Sequence, residues 1–206
     1  MGLMLRLRGI GIADQEFLRA VESVPHDQFV PKAWHHCAWQ NTSLPIECGQ
    51  TSYAPDISVR IIDAARIVKS HTVLEVGTGT GYMTALIARK ARKVRSLDRF
   101  QTLVTAATQR LSKLGIDNAT IEHADGQNGT PGDGLYDCVI IDSVFDQTPR
   151  QFIDQLVAGG TVICAIGDPG REQMLTRFTK IGSRYEKEDL FPVRFSPLED
   201  GKAQSL

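Results

Sequence analysis

Residues 73–82 read VLEVGTGTGY, an apolar run that leads into a G-x-G-x-G turn. The apolar run predicts a buried β-strand, and the apolar spacing after the turn predicts a helix. Glycines permit a tight turn and a close approach of the backbone to a ligand. The N-terminus of the following helix favours a negative group such as a carboxylate. In open α/β sheets a ligand binds at the carboxyl ends of the strands, where this turn would lie.

The spacing of the glycines limits the choice of ligand. The fingerprint of dinucleotide-binding proteins is G-x-G-x-x-G, one residue longer than the turn in this chain. A nicotinamide or flavin enzyme is therefore disfavoured. The candidate cofactor-binding residues of the turn are Glu75, Gly77, Thr78, Gly79 and Gly81.

Two acidic residues follow at the ends of the next two predicted strands. Asp98 ends a strand over 94–97, at a distance of about 20 residues, where a carboxylate can accept hydrogen bonds from both hydroxyls of a ribose. Asp125 and Gly126 follow a short strand over 119–122 and would lie on the same edge of the sheet. They are candidates for contact with an adenine amino group, and an ordinary Asp-Gly turn is the alternative.

The pattern around the glycine turn predicts the fold class. Strand and helix signals alternate from Ser70 to Ala165, which predicts a Rossmann-like α/β fold with a mostly parallel, doubly wound sheet. Within this stretch, Phe152 and Leu156 predict a helix that ends at Gly159-Gly160. Two later runs, 174–181 and 185–195, predict an antiparallel strand pair that closes the sheet.

The N-terminal third has a different character. Apolar residues at helical spacing after a possible cap at Asp14 predict one helix, and a second begins near Pro55. Residues 44–56, rich in Pro, Gly, Ser and Thr, predict an irregular loop. We therefore expect a single domain over 1–206, with a helical substrate-side segment (1–69), a cofactor-binding core (70–165) and closing strands (166–206).

Composition excludes several classes of protein. The formal net charge of −1 gives no indication of nucleic acid or an acidic membrane as a partner. No apolar run approaches the ~20 residues of a membrane helix, and no signal peptide is recognisable. The four cysteines form neither a C-x-x-C pair nor a zinc pattern. We expect a cytoplasmic protein without a bound metal, and its oligomeric state is left open.

Several segments together resemble a known family, the protein-L-isoaspartate (D-aspartate) O-methyltransferases, over almost the whole chain. The cofactor run 74–82 is similar to a motif that many methyltransferases have, whereas Phe29-Val30-Pro31 and Gly49-Gln50-Thr51 are much more specific. Further similar segments follow in the family's order: Asp125-Gly126, Tyr136-Asp137, Gly159-Gly160, Pro192-Val193-Arg194-Phe195 and Pro197-Leu198.

The resemblance implies an S-adenosyl-L-methionine-dependent carboxyl O-methyltransferase of the class I fold. The implied partners are peptides or proteins that contain an isoaspartyl residue, whose free α-carboxyl group receives the methyl group. A carboxylate is already nucleophilic and a sulfonium is a strong electrophile, so catalysis can rest on alignment and on exclusion of water. This explains why the sequence needs no Ser-His-Asp or Cys-His set.

The chain departs from the family pattern on the substrate side. The family usually reads Gly-Gln-Thr-Ile-Ser, whereas residues 49–53 read Gly-Gln-Thr-Ser-Tyr, so Tyr53 occupies the position of the family's active-site serine. Thr51, Ser52 and Tyr53 are the candidate catalytic residues. Either Ser52 is re-aimed, or Tyr53 offers its own hydroxyl, or that function is lost. In addition, residues 142–145 read Asp-Ser-Val-Phe where the family has a small, alanine-rich stretch.

Three functions follow from these departures. The first is methylation of isoaspartyl carboxylates in damaged proteins. The second is methylation of another acceptor, such as a small molecule or a modified peptide, with the altered loop. The third is a non-catalytic member of the family that still binds the cofactor.

Overall fold

The computed structural model describes residues 2–203. Its α-helices are α1 (Leu3–Gly9), α2 (Gln15–Glu22), α3 (Pro55–Ala64), α4 (Tyr82–Lys90), α5 (Gln101–Lys113) and α6 (Arg150–Ile153). Its strands are β1 (Leu44–Pro45), β2 (Thr51–Ser52), β3 (Thr72–Val76), β4 (Lys93–Asp98), β5 (Ala119–His123), β6 (Tyr136–Phe145), β7 (Leu156–Ile166), β8 (Gln173–Ile181) and β9 (Arg184–Val193).

The central sheet has seven strands in the order β5-β4-β3-β6-β7-β8-β9. The first five of these run parallel, and β8 and β9 are antiparallel additions at one edge. The predicted parallel sheet with an antiparallel closing pair is thus confirmed. The chain order reverses between β3 and β6, and such a switch point opens a crevice at the carboxyl ends of the strands.

The core lies on both faces of this sheet. On β3, Val73 belongs to one buried cluster, while Leu74 and Val76 belong to the other. This division follows from the geometry of a strand, in which successive side chains point to opposite faces. Because both faces are covered, a central strand can carry a continuous apolar run, as residues 138–141 of β6 do.

The N-terminal helices pack beside α4, close to the predicted glycine turn. The predicted cap is confirmed, because the Asp14 side chain accepts a hydrogen bond of 3.0 Å from the backbone N–H of Phe17. Helix α3 begins at Pro55, as predicted. It is tied to α1 by an ion pair in which Arg6 donates to both carboxylate oxygens of Asp56, at 2.9 and 2.7 Å.

The loop predicted over 44–56 is more regular than its composition indicates. Strands β1 and β2 pair antiparallel, with Leu44 opposite Ser52 and Pro45 opposite Thr51. The turn between them has Cys48 at a φ of 61°, a left-handed conformation that is uncommon for a residue other than glycine. This short hairpin fixes the direction in which residues 49–53 leave the turn.

The helix predicted through Phe152 and Leu156 is present around Phe152, but its predicted extent to Gly159-Gly160 is wrong. Helix α6 ends at Ile153, and β7 begins at Leu156 and continues through Gly159-Gly160. A Cβ atom on Gly160 would lie 3.1 Å from three backbone oxygens, including that of Tyr136. Gly160 therefore allows close approach of two strands, a use that glycine has inside strands, whereas Gly159 has a φ of 80° and open space around it.

Strand β6 has an irregularity at its carboxyl end. Ile140 pairs with Ile163 and Val144 pairs with Ala165, so β6 has two more residues than β7 between these pairs. The bulge contains Asp142 and Ser143. Beyond it, the backbone N–H of Val144 donates to the carbonyl of Ser196 at 3.0 Å. This bond holds the C-terminal segment against the end of the sheet. Among the helices described, none is long and apolar enough to span a bilayer.

Candidate active site

A cavity of about 440 Å³ opens at the carboxyl ends of β3, β4 and β6, at the switch point of the sheet. The glycine turn forms one side, and the loop that precedes α3 forms another. The C-terminal segment after β9, including Arg194 and Ser196, contributes a third side. The cavity therefore brings together parts of the chain from all three predicted segments.

The glycine turn is shaped by two glycines that line this cavity. Gly77 has a φ of 98°, and a Cβ atom added to it would lie 2.8 Å from the Cβ of Asp142. Gly79 has a φ of 54°, and a Cβ atom there would meet nothing within 4 Å. Only glycine fits at position 77, because φ is positive and Asp142 lies close by. Gly79, in contrast, leaves open space above the turn for a ligand.

Asp98 lines the cavity beside this turn, as predicted. It is only 7% exposed, and its two carboxylate oxygens accept backbone N–H bonds from Gly79 at 2.8 Å and from Phe100 at 2.9 Å. Burial raises the pKa of Asp98, and these two hydrogen bonds oppose the shift. The bonds fix the orientation of the carboxylate, so its remaining lone pairs are available to hydroxyl groups of a ligand.

Three other predicted residues support the turn from behind. Glu75 is fully buried, and one of its oxygens accepts hydrogen bonds from Thr84 at 2.5 Å and from Ser96 at 2.6 Å. Thr78 shares a hydrogen bond of 2.6 Å with the same serine. Gly81 has a φ of 86°, and a Cβ atom there would lie 2.8 Å from the Cβ of Ala107. None of the three lines the cavity.

The surroundings of Glu75 shift its pKa far from the usual value of a glutamate. Burial raises its pKa to about 8, against the effect of the two hydroxyl donors, and the nearby charges of Asp142 and Asp98 raise it further. Its second oxygen, Oε1, has no hydrogen-bond partner among residues 2–203. The acid form of Glu75 is therefore favoured at neutral pH.

Of the predicted cofactor-binding residues Asp125 and Gly126, which follow β5, only Gly126 lines the cavity. Gly126 lines the cavity, and a Cβ atom there would overlap the Val76 side chain. Asp125 is exposed and lies outside the lining. Its carboxylate accepts backbone N–H bonds from Gln127 at 3.0 Å and from Gly201 at 3.1 Å. A direct adenine contact from Asp125 stays a prediction, while its visible role is to join the turn to the C-terminal segment.

Residues 49–53 form the acceptor-side loop, and its three candidate catalytic residues differ in whether they line the cavity. Thr51 and Tyr53 line the cavity, whereas Ser52 does not. The Ser52 hydroxyl donates to the carbonyl of Tyr53 at 3.4 Å. The ring of Tyr53 stacks on Phe195, with centroids 4.7 Å apart and planes at 26°. Of the possibilities that the sequence left open, this geometry favours a Tyr53 hydroxyl turned toward the site.

Four charged residues of the cavity lining were not among the predicted site residues: Arg99, Asp142, Arg194 and Glu199. Asp142 lines the cavity within the β6 bulge, and its carboxylate lies beside the Tyr53 hydroxyl of the loop. Burial raises the pKa of Asp142 to about 7. Arg194 also lines the cavity and forms no ion pair with the described residues. Arg99, the other cation of the lining, is paired with Glu199.

The sequence contained a signal for Asp142 but a weaker one for Arg194. Asp142 stood out as a charged residue in a stretch that is usually small, although nothing local connected it with Tyr53. Arg194 belongs to a segment that supported the family resemblance without a stated role. Within the described part of the chain, no group of three or more His, Cys, Asp or Glu side chains is placed to hold a metal ion.

The site and the fold define a class of enzyme. A glycine turn at the sheet's switch point, an oriented acid at the end of the next strand and an open cavity above them are the arrangement of a class I S-adenosylmethionine-dependent methyltransferase. A solved structure from Plasmodium falciparum has the same fold, with a TM-score of 0.81 at 23% identity over 96% of each chain. It is described as a putative protein-L-isoaspartate O-methyltransferase in complex with S-adenosyl-L-homocysteine.

Sequence comparison identifies the family within that class. The model of the protein-L-isoaspartate (D-aspartate) O-methyltransferase family matches residues 2–203. A protein-L-isoaspartate O-methyltransferase of Azorhizobium caulinodans is 40% identical over 203 residues, which cover 98% of this chain and 94% of the relative. One of Rhizobium meliloti is 37% identical over 196 residues, or 95% and 96% of the two chains. The chain belongs to this family, and it is an S-adenosylmethionine-dependent methyltransferase.

Proposed function

We propose that this chain methylates the free α-carboxylate of L-isoaspartyl residues in damaged proteins, with S-adenosylmethionine as the methyl donor. The observation that carries the proposal is that the cofactor turn and the acceptor-side loop open into the same cavity, with Gly79 and Asp98 on one side and Thr51 and Tyr53 on the other. Donor and acceptor would therefore meet without a large movement of the chain.

The residues of the cavity fit the cofactor. The space above Gly79 is open, the Asp98 carboxylate is held by two backbone bonds, and Gly126 leaves room where a side chain would intrude. We assign Asp98 to the ribose hydroxyls and the glycines to the close approach of the backbone. When bound, S-adenosylmethionine supplies a methyl group on a positively charged sulfur, which is a strong electrophile.

The protein itself has to align the acceptor and exclude water. A carboxylate needs no general base to attack a methyl group, so a cavity with correct positioning is sufficient. Thr51 and Tyr53 line its acceptor side, and the stack of Tyr53 on Phe195 limits motion of the loop. The guanidinium of Arg194, which forms no ion pair with the described residues, would attract an anionic acceptor into the cavity. The backbone nitrogen of the neighbouring residue can then attack the methyl ester and displace methanol, which gives a succinimide that water can reopen as aspartate.

Two finer assignments belong to this proposal. Thr51 and Tyr53, and not Ser52, are the residues of the loop that face the acceptor. The whole chain acts as one domain in the cytoplasm, without a nucleic-acid or membrane partner. The net charge of −1 supports this choice of partners.

The test is transfer of a labelled methyl group from S-adenosylmethionine to an isoaspartyl peptide, with the matching aspartyl peptide as control. We expect selective labelling of the isoaspartyl peptide. Cofactor binding is measured on the same preparation by calorimetry, so that an inactive preparation is recognised. A protein that binds the cofactor and labels neither peptide would contradict the proposal.

A further inference from the structure

Two departures from the family pattern, remote in sequence, are in contact in the structure. Tyr53 occupies the position of the family's serine, and Asp142 occupies a position in the family's small, alanine-rich stretch. The Tyr53 hydroxyl lies beside the Asp142 carboxylate and lowers its pKa, and both side chains line the cavity. We therefore treat the two residues as one unit, the Tyr53–Asp142 pair.

The position of Asp142 is fixed by the fold on several sides. The β6 bulge projects it next to the glycine turn, where its Cβ approaches the Gly77 backbone so closely that only glycine fits there. The stack on Phe195 holds its partner, Tyr53. The Oδ1 atom of Asp142 is buried and has no hydrogen-bond partner within residues 2–203. A buried polar atom without a partner is costly, which indicates a group kept for a ligand.

The charges around Asp142 favour its acid form. Burial raises the pKa of Asp142 to about 7, and the charge of Asp98 at the end of β4 acts in the same direction. Glu75 on β3, whose own pKa is raised to about 8, adds no charge at neutral pH. The Tyr53 hydroxyl opposes the shift of the Asp142 pKa, because a hydroxyl group beside a carboxylate favours its charged form. Arg194 lines the same cavity from the C-terminal segment, together with the ion pair of Arg99 and Glu199.

The state of Asp142 decides what the cavity can accept. An ionised Asp142 would repel a carboxylate that enters beside it, because like charges a few ångströms apart destabilise each other strongly where water is excluded. A protonated Asp142 carries an O–H group, and it can donate a hydrogen bond to the same carboxylate. The usual family sequence has no acid at this position. Binding of the acceptor by such a protein would therefore not depend on the protonation of a carboxyl group there.

We propose that the Tyr53–Asp142 pair is an acceptor-selecting unit in which the protonated carboxyl group of Asp142 receives the anionic acceptor. This inference rests on the proposed function, since it takes the acceptor to be a carboxylate. It makes Asp142 a specificity-determining residue and makes binding of the acceptor dependent on pH near neutrality.

The experiment measures binding and does not depend on turnover. An isoaspartyl peptide is titrated by calorimetry into the protein saturated with S-adenosylhomocysteine, at a series of pH values. If only the protonated form binds, the apparent Kd rises about 30-fold between about pH 6 and about pH 8.5, because the competent fraction falls with a midpoint near pH 7. An isoasparaginyl peptide, in which a neutral amide replaces the carboxylate, should show no such rise.

Three variants distinguish an effect of the Tyr53–Asp142 pair from a general effect of pH on peptide binding. Asp142→Asn should abolish the dependence, because the amide does not ionise. Tyr53→Phe keeps the ring but removes the hydroxyl that favours ionised Asp142, so the midpoint should move to higher pH. Asp146→Asn is the matched control, since Asp146 is exposed just beyond β6 and outside the cavity lining, and it should behave as the unmodified protein.

The possible failures have different meanings. Binding of the isoaspartyl peptide that is independent of pH, or a dependence that persists in Asp142→Asn, would overturn the role of the pair while leaving the proposed function intact. A protein that binds S-adenosylhomocysteine but binds the isoaspartyl peptide at no pH would overturn the proposed function itself. Should Asp142→Asn fail to fold, an unshifted midpoint in Tyr53→Phe would still refute the inference.

Discussion

Replacement of Asp98 by alanine tests the assignment of the cofactor site most directly. Each carboxylate oxygen of Asp98 accepts one backbone N–H bond, from Gly79 or from Phe100, and each keeps a lone pair for a ligand. Two hydroxyl groups of a ribose would occupy these positions. A hydrogen bond to a charged group contributes about 1.5–3 kcal/mol, so the loss of two weakens binding by at least about 3 kcal/mol.

This loss corresponds to an affinity for S-adenosylmethionine lower by on the order of 100-fold. Calorimetric titration of the Asp98→Ala protein measures it, and circular dichroism verifies that the variant is folded. Some loss of stability, roughly 1–3 kcal/mol, is expected because two backbone N–H groups lose their acceptor. Asp146→Ala serves as control and should bind normally. An affinity of folded Asp98→Ala within about threefold of the original would exclude Asp98 from the cofactor site.

Two further predictions concern stability. Gly81→Ala should destabilise the fold by roughly 2–4 kcal/mol in urea unfolding, because a left-handed conformation and overpacking against Ala107 both cost free energy. The control is Gly115→Ala, which has a positive φ but open space and should cost only about 1–2 kcal/mol. Equal losses in the two variants would show that the contact with Ala107 is unimportant. For Glu75, burial raises the folded-state pKa to about 8, so native Glu75 keeps its proton at pH values where the unfolded chain has lost it. The free energy of unfolding therefore falls as pH rises from the unfolded pKa of 4.5 to about 8, by up to about 1.4 kcal/mol per pH unit from Glu75 alone. Glu75→Gln should remove this part of the slope in unfolding experiments at about pH 5.5 and 8, and an unchanged slope would mean that Glu75 is ionised in the native state.

The cofactor side of the site could be predicted because its signals are local. Apolar periodicity and glycine spacing in residues 73–82 specify a strand, a turn and a helix, and Asp98 follows at the end of the next strand. Parallel strands then bring both to one edge of the sheet, wherever the rest of the chain lies. The same reasoning could not separate residues that line the cavity, such as Gly79, from residues that support it, such as Thr78, because both lie in one short run.

Local signals also misled at one element. Gly159-Gly160 predicted the end of a helix, but both glycines lie within β7, and a Cβ atom on Gly160 would crowd the backbone oxygens of Tyr136 and Asp137. A glycine has the same sequence signature whether it ends a helix or admits a second backbone. Only the partner strand, supplied by residues near Tyr136, distinguishes the two uses.

The sequence by itself determined the doubly wound fold, the glycine turn and the family, because each rests on short-range periodicity or on motifs that are contiguous in the chain. Tertiary structure decided that Tyr53 and not Ser52 lines the cavity, and that Asp142 meets Tyr53 there. It also placed Arg194 at the same cavity. These outcomes depend on a hairpin, on a bulge in β6 and on the return of the C-terminal segment to the end of the sheet. Each is a long-range pairing whose register is set by packing of the whole domain.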